Sequence, residues 1–312
     1  MDTIGIIGAG LIGRAWAIVF ARAGHPVRLW DGDAQARDGA LAIIAARLAD
    51  LEKFGLMADR QAVLKRITPV DTMAEAVRGA AYIQECLPEI LELKRTTFAD
   101  LDGLAAPATI LASSTSTMPA SSFTETLKGR ARCLVAHPVN PPYLVPLVEL
   151  SGAPWTSPET LSRARAIQTA AGQKPVIVQR EVNGFILNRL QGALLNEAFR
   201  LVQDGYVTPE DLDTTIAHGL GLRWSFMGPF ETIDLNAPAG LADYCRRYGE
   251  IYYKMAHEQA DPRPWDAVAP MLEAHRREQL PAEKLNERQA WRDRRLMALA
   301  AHKRIMDAKE GS

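Results

Sequence analysis

Residues 3–31 read TIGIIGAGLIGRAWAIVFARAGHPVRLWD, an apolar strand, a glycine-rich turn, a helix, a second apolar strand and an acid. A glycine triplet at this spacing is weak by itself; its neighbours decide the reading. Gly8 admits a tight turn, Gly10 lets the backbone approach a pyrophosphate, and Gly13 lets the helix pack close to the strand. The helix over 14–23 then offers unpaired backbone N–H groups to phosphates. Asp31 closes the second strand, where a carboxylate accepts hydrogen bonds from a ribose 2′-hydroxyl and repels a 2′-phosphate. The alternative is a glycine-rich turn in some other α/β protein. The complete context predicts a dinucleotide site for NAD rather than NADP.

The chain has 312 residues, more than one hydrophobic core usually spans, so two domains are expected. A formal net charge of −1 gives no electrostatic reason for a nucleic acid or an anionic membrane as partner. Three cysteines, Cys86, Cys133 and Cys245, are far apart and lack metal-ligand spacing, which fits a reducing compartment. The first strand starts near residue 3 and no apolar run is long enough to span a membrane, so a cytoplasmic protein without a secretory leader is expected.

Up to about residue 182, short β-rich runs alternate with helical stretches. The strands expected are 3–7, 27–30, 82–85, 110–113, 133–136, 145–150 and 176–179, with helices over 34–54, 90–101 and 158–171. That alternation predicts an α/β fold with a doubly wound, mostly parallel Rossmann-type sheet. After residue 183 strand signals vanish: 185–204 reads as one long helix and Thr208-Pro209 opens another. The expected architecture is a nucleotide-binding domain over 1–182 followed by an all-helical domain over 183–312.

In open α/β sheets ligands sit beyond the carboxyl ends of the strands. Ser113-Ser114-Thr115-Ser116 follows one apolar strand, His137 follows Leu134-Val135-Ala136, and Glu149 stands in the apolar run Leu147-Val148-Glu149-Leu150. A carboxylate inside an apolar strand is costly unless paired, and His137 is a candidate partner. Oxidation of an alcohol needs a base for the hydroxyl proton, and histidine's ordinary pKa of about 6.5 suits that task. The residues alone leave His137 open between such a base and a core histidine bonded to a backbone carbonyl. Likewise Glu89 reads as a ribose ligand or as an acid complementing a helix N-terminus, Lys94 as a surface lysine, Ser116 as part of a capping turn, and Asn188 as a bridge between helices.

Taken together, Ser113–Ser116, Ala136-His137-Pro138-Val139-Asn140-Pro141, Glu149 and Gly184-Phe185-Ile186-Leu187-Asn188-Arg189 resemble the L-3-hydroxyacyl-CoA dehydrogenase superfamily. The likeness extends over nearly the whole chain. It implies that His137 is the base and Glu149 its partner, that Ser116 and Asn188 hydrogen-bond the substrate oxygen, and that the site lies in a cleft between two domains. It also implies that Leu11, Ile12, Asp31, Glu89 and Lys94 contact NAD, and that the helical domain forms a homodimer. Within the superfamily the chain is most similar to the lambda-crystallin and L-gulonate 3-dehydrogenase branch, through Ile83–Glu89, His137–Tyr143, Gly219–Arg223 and Trp291-Arg292-Asp293.

The substrate is expected to depart from the acyl-CoA thioesters. Where those enzymes carry a short Gly-x-Pro-Met-Gly-Pro passage, this chain has the longer Leu220–Pro229, which includes Arg223. A guanidinium forms two parallel charge-assisted hydrogen bonds with a carboxylate, so Arg223 favours a small free 3-hydroxy acid such as L-gulonate. A structural pairing of Arg223 with Glu231 or Asp234 is the competing role. L-carnitine is a second candidate substrate, because Trp224, Phe226, Phe230, Tyr252 and Tyr253 could cage a quaternary ammonium. A 3-hydroxyacyl-CoA and a purely structural, crystallin-like role complete the alternatives; a structural protein would not require Ser116, His137, Glu149 and Asn188 together.

Overall fold

The computed structural model describes residues 1–261 and 263–310. Eight strands, β1 (Thr3–Ile7), β2 (Val27–Trp30), β3 (Ile67–Pro69), β4 (Ala80–Glu85), β5 (Ile110–Ser113), β6 (Cys133–Pro138), β7 (Leu147–Gly152) and β8 (Lys174–Val178), form one sheet in the order β3-β2-β1-β4-β5-β6-β7-β8. All neighbours run parallel except β6 and β7. The reversal of strand order between β1 and β4 creates the crevice at which doubly wound sheets bind nucleotides.

Seven of these strands fall where the sequence predicts them. The eighth, β3, is a three-residue edge strand: Ile67-Thr68-Pro69 pairs with β2 alone. A proline that cannot donate to a ladder is tolerated on such an edge, and three residues are too few to show a period.

Contacts divide the described residues into two units, one of residues 1–187 with 286–310 and one within 188–285. In the first unit apolar side chains cover both faces of the sheet. One cluster includes Trp16, Phe20, Leu48 and Tyr82; the other includes Ile83, Phe98, Leu111 and Phe123. The helix Leu285–Glu310 sends Met297, only 1% exposed, into the first of these clusters. Burying such a side chain contributes about 1.5–3 kcal/mol. Residues 286–310, expected in the helical domain, therefore cluster with the nucleotide-binding unit. An amphipathic pattern shows that a helix has a face to bury but not against which domain.

The second unit is helical. Thr208 caps the helix Pro209–Thr215 through Asp211 N–H, followed by a π-helical turn at Ile216–Leu220 that delivers the short helix Gly221–Trp224 with Arg223. The unit also holds the helices Leu187–Gln203, Pro229–Asp234, Leu241–Glu258 and Ala269–Gln279. Among the described residues no helix is long and apolar enough to cross a membrane.

Candidate active site and dinucleotide site

The turn after β1 is shaped by its glycines for distinct reasons. Gly8 has φ +107°, and a Cβ there would meet Cys86 O at 2.9 Å. A Cβ on Gly13 would lie 1.7 Å from Gly8 O, so only glycine lets the helix Leu11–Arg22 start this close to the turn. Gly10 differs: its φ is −67° and an added Cβ would meet no protein atom within 4 Å. Neither strain nor packing calls for glycine there, whereas the close approach of a pyrophosphate does. The helix beginning at Leu11 has no side-chain cap and no acid in its first turn, so its first N–H groups suit an anion. Leu11 is exposed and Ile12 partly buried.

Asp31 holds this turn. Its Oδ2 accepts from Ala9 N–H at 2.6 Å and its Oδ1 from Asp33 N–H at 2.8 Å. Each carboxylate oxygen retains acceptor capacity for a ribose hydroxyl. The residues present thus fit an NAD molecule at the β1–β4 crevice.

Across that crevice lies a polar cluster that was only partly legible in the sequence. The Lys94 ammonium is 1% exposed and lies 3.1 Å from both oxygens of Glu85, itself 0% exposed at the end of β4. Ser113 Oγ and Leu87 N–H also donate to Glu85. Lys94 stands 3.6 Å from Glu89, which is more open. Glu89 Oε1 accepts from the N–H groups of Ser116 and Thr117 at 2.9 and 3.0 Å and from the hydroxyls of Thr115 and Thr117. Desolvation works against the charged form of Glu89, but these donors and Lys94 hold its carboxyl below the usual range. Lys94, which alone reads as a surface residue, is buried beneath Glu89. Glu85 is no candidate site residue by sequence; besides its place in the stretch Ile83–Glu89, its signal is an acid ending an apolar strand.

His137 and Glu149 are cross-strand neighbours in the antiparallel β6–β7 pair. The imidazole Nδ1 lies 2.8 Å from Glu149 Oε2, with His137 5% and Glu149 1% exposed. The second oxygen, Oε1, accepts from Ile186 and Leu187 N–H at 2.7 and 2.9 Å. These amides open the helix Leu187–Gln203, whose N-terminus favours a negative charge. Burial alone would raise the Glu149 pKa, but the hydrogen bond from His137 and the two amides bring it below the ordinary value. An ionised carboxylate can only accept, so Nδ1 carries the proton and Nε2 is left as the acceptor.

Phe185, absent from the sequence-based candidates, is fully buried with its ring centroid 5.3 Å from the imidazole. It has φ +50° and follows Gly184 at φ +77°. This left-handed turn aims the Ile186 and Leu187 amides at Glu149. Asn188 follows Leu187 in the same helix. Arg223, in the helical unit, is exposed and forms no ion pair with Glu231 or Asp234 among the described residues.

A nucleotide crevice at the sheet's switch point and a histidine–carboxylate pair at its strand ends define a dinucleotide-binding oxidoreductase of the two-domain kind. The chain belongs to the 3-hydroxyacyl-CoA dehydrogenase family: residues 3–182 match its NAD binding domain and residues 184–283 its C-terminal domain. It is 42% identical over 309 residues to lambda-crystallin of Oryctolagus cuniculus, covering 96% of each chain. An L-carnitine dehydrogenase of Pseudomonas sp is 40% identical over 250 residues, 80% of this chain and 77% of the relative. A solved 5-formyl-3-hydroxy-2-methylpyridine 4-carboxylic acid 5-dehydrogenase, an NAD+ dependent dismutase, superposes with TM-score 0.81 at 30% identity, covering 98% of this chain and 99% of that one.

Proposed function

We propose that the chain oxidises the C3 hydroxyl of a small free 3-hydroxy acid to the 3-keto acid, with L-gulonate as the leading substrate. The observation that carries this reading is the His137–Glu149 contact at 2.8 Å with Glu149 held ionised. His137 Nε2 takes the hydroxyl proton, and Glu149 stabilises the resulting imidazolium. A positioned acid–base group of this kind contributes about 10²- to 10⁴-fold. Ser116 and Asn188 orient the substrate oxygen. NAD, when bound, supplies the hydride acceptor; Gly8, Gly10, Leu11, Ile12 and Gly13 receive its pyrophosphate, Asp31 and Glu89 its riboses, and Lys94 acts through Glu89.

A free acid is favoured over a thioester because Arg223 is exposed and free of Glu231 and Asp234. The likeness to the lambda-crystallins supports the same branch, and the 5-formyl-3-hydroxy-2-methylpyridine 4-carboxylic acid 5-dehydrogenase shares the fold over almost the full chain. A second reading, L-carnitine, draws support from the exposed aromatics Trp224, Phe226, Phe230, Tyr252 and Tyr253 and from the carnitine dehydrogenase relatives. The helical region also exposes Tyr206, Leu235 and Leu241. Apolar surface on this scale suits burial against a second copy in a homodimer.

The deciding experiment is turnover with NAD on L-gulonate, L-carnitine, 3-hydroxybutyrate and 3-hydroxybutyryl-CoA, followed as NADH absorbance. A free acid should give the highest kcat/KM, and Arg223→Met should raise its KM about 10- to 100-fold, the worth of a charge-assisted hydrogen bond. Turnover confined to the thioester overturns the free-acid reading. NAD binding without turnover of any compound favours the structural, crystallin-like role.

A further inference from the structure

Within the nucleotide-binding unit, a cavity of about 630 Å³ opens between the C-terminal helix and the segment after β6. That volume falls in the range of small-ligand pockets. Its floor is apolar, made by Leu56, Leu144, Leu296 and Leu299, and Leu299 remains 42% exposed. Among the described residues its lining includes the cations Arg22, Lys174 and Arg304 and the acid Asp307.

The two arginines are bonded only to neutral acceptors. Arg22 Nη1 donates to Tyr143 O at 3.3 Å and Arg304 Nη1 to Leu56 O at 3.2 Å. Burial, and then the nearby charge of Arg304, push the Arg22 guanidinium below its ordinary pKa, with no acid acting in the opposite direction. A guanidinium drawn out of water, as Arg22 is, is costly unless an anion pairs with it. An inorganic anion would answer the cations and leave the leucines wet. A neutral hydrocarbon would cover the leucines and give Arg22 and Arg304 no anionic partner. One molecule satisfies both features when it has an anionic head and an alkyl tail.

We propose that this cavity is a binding site for a medium-chain fatty acid, its carboxylate on Arg22 and Arg304 and its chain along the leucine floor. The site is separate from the residues assigned to NAD and to proton transfer.

The test is calorimetric titration of the full chain with decanoate below its aggregation concentration, beside 1-decanol and decanoyl-CoA. Saturable binding of one decanoate is expected, with affinity reduced at least about tenfold in the Arg22→Gln/Arg304→Gln variant and in Leu299→Trp, which fills the floor. Circular dichroism melts and NAD binding report whether each variant is folded; Leu299→Trp, at an exposed position, decides the matter should the double variant fail to fold. Undiminished decanoate affinity in Leu299→Trp marks binding elsewhere, including at a carboxylate-binding substrate site, and overturns the proposal. So do decanol binding as tightly as decanoate, preference for decanoyl-CoA, or no saturable uptake.

Discussion

His137 and Glu149 sit directly opposite each other in the antiparallel β6–β7 pair, 2.8 Å apart, while the far oxygen of Glu149 is gripped by two amides of the next helix. The carboxylate is fixed at both ends, so the imidazole it orients has one tautomer. Glu149→Gln removes the charge and permits the other tautomer. The expected result is a fall in kcat of about 10²- to 10⁴-fold, with NAD affinity unchanged by fluorescence titration. Retention of wild-type kcat would remove the basis for the proton-transfer assignment.

The same carboxylate should mark the acid limb of stability. Its pKa is lowered in the folded protein, against an unfolded value of about 4.3. Its contribution is therefore complete above that unfolded value and lost as pH falls through the lower folded one. Thermal melts of the wild type and Glu149→Gln should differ most near neutral pH and converge in acid. A gap that stays constant down to about pH 3 contradicts the assignment.

Gly10 and Gly13, three residues apart in one turn, separate binding from packing. Gly10→Ala places a methyl in open space, so melting should hardly change while KM for NAD rises. Gly13→Ala drives a Cβ into Gly8 O and should cost stability itself, about 1–3 kcal/mol by the usual scale of overpacking. Equal effects of the two substitutions on melting and on NAD binding would contradict this division.

Lys94 is the ammonium of a buried ion pair, and burial already pushes the Glu85 carboxyl above its usual range against the pull of Lys94 and Ser113. Lys94→Met leaves that acid uncompensated and should destabilise the fold by about 3–5 kcal/mol, whereas adding Glu85→Leu should recover much of the loss. Glu89→Gln, at a more open position, should leave melting nearly unchanged and weaken NAD. Denaturant titration of the three variants measures each outcome; a double variant no more stable than Lys94→Met would argue against the pair.

Much of the sheet was readable because its strands are apolar runs bounded by turn residues, and the dinucleotide turn because Gly8, Gly10 and Gly13 sit between a strand and a helix. His137 and Glu149 were readable as polar residues in apolar strands, a placement that demands partners. The edge strand Ile67–Pro69 was not, since three residues carry no period. Nor was the destination of the C-terminal helix, whose apolar face specifies burial without naming the surface that supplies it. Lys94 misled by its type: lysine is seldom buried, and only the partner Glu85 makes that placement tolerable.

The sequence by itself determined the order of seven strands, the NAD-binding turn and the residue types proposed for proton transfer, because steric and periodic rules act over neighbouring positions. Tertiary structure alone decided that β6 and β7 pair in opposite directions, that Glu149 meets the amides of Ile186 and Leu187, and that Lys94 turns inward to Glu85. Those are contacts between distant parts of the chain, fixed only when burial strips water from charges and forces each one to find its partner.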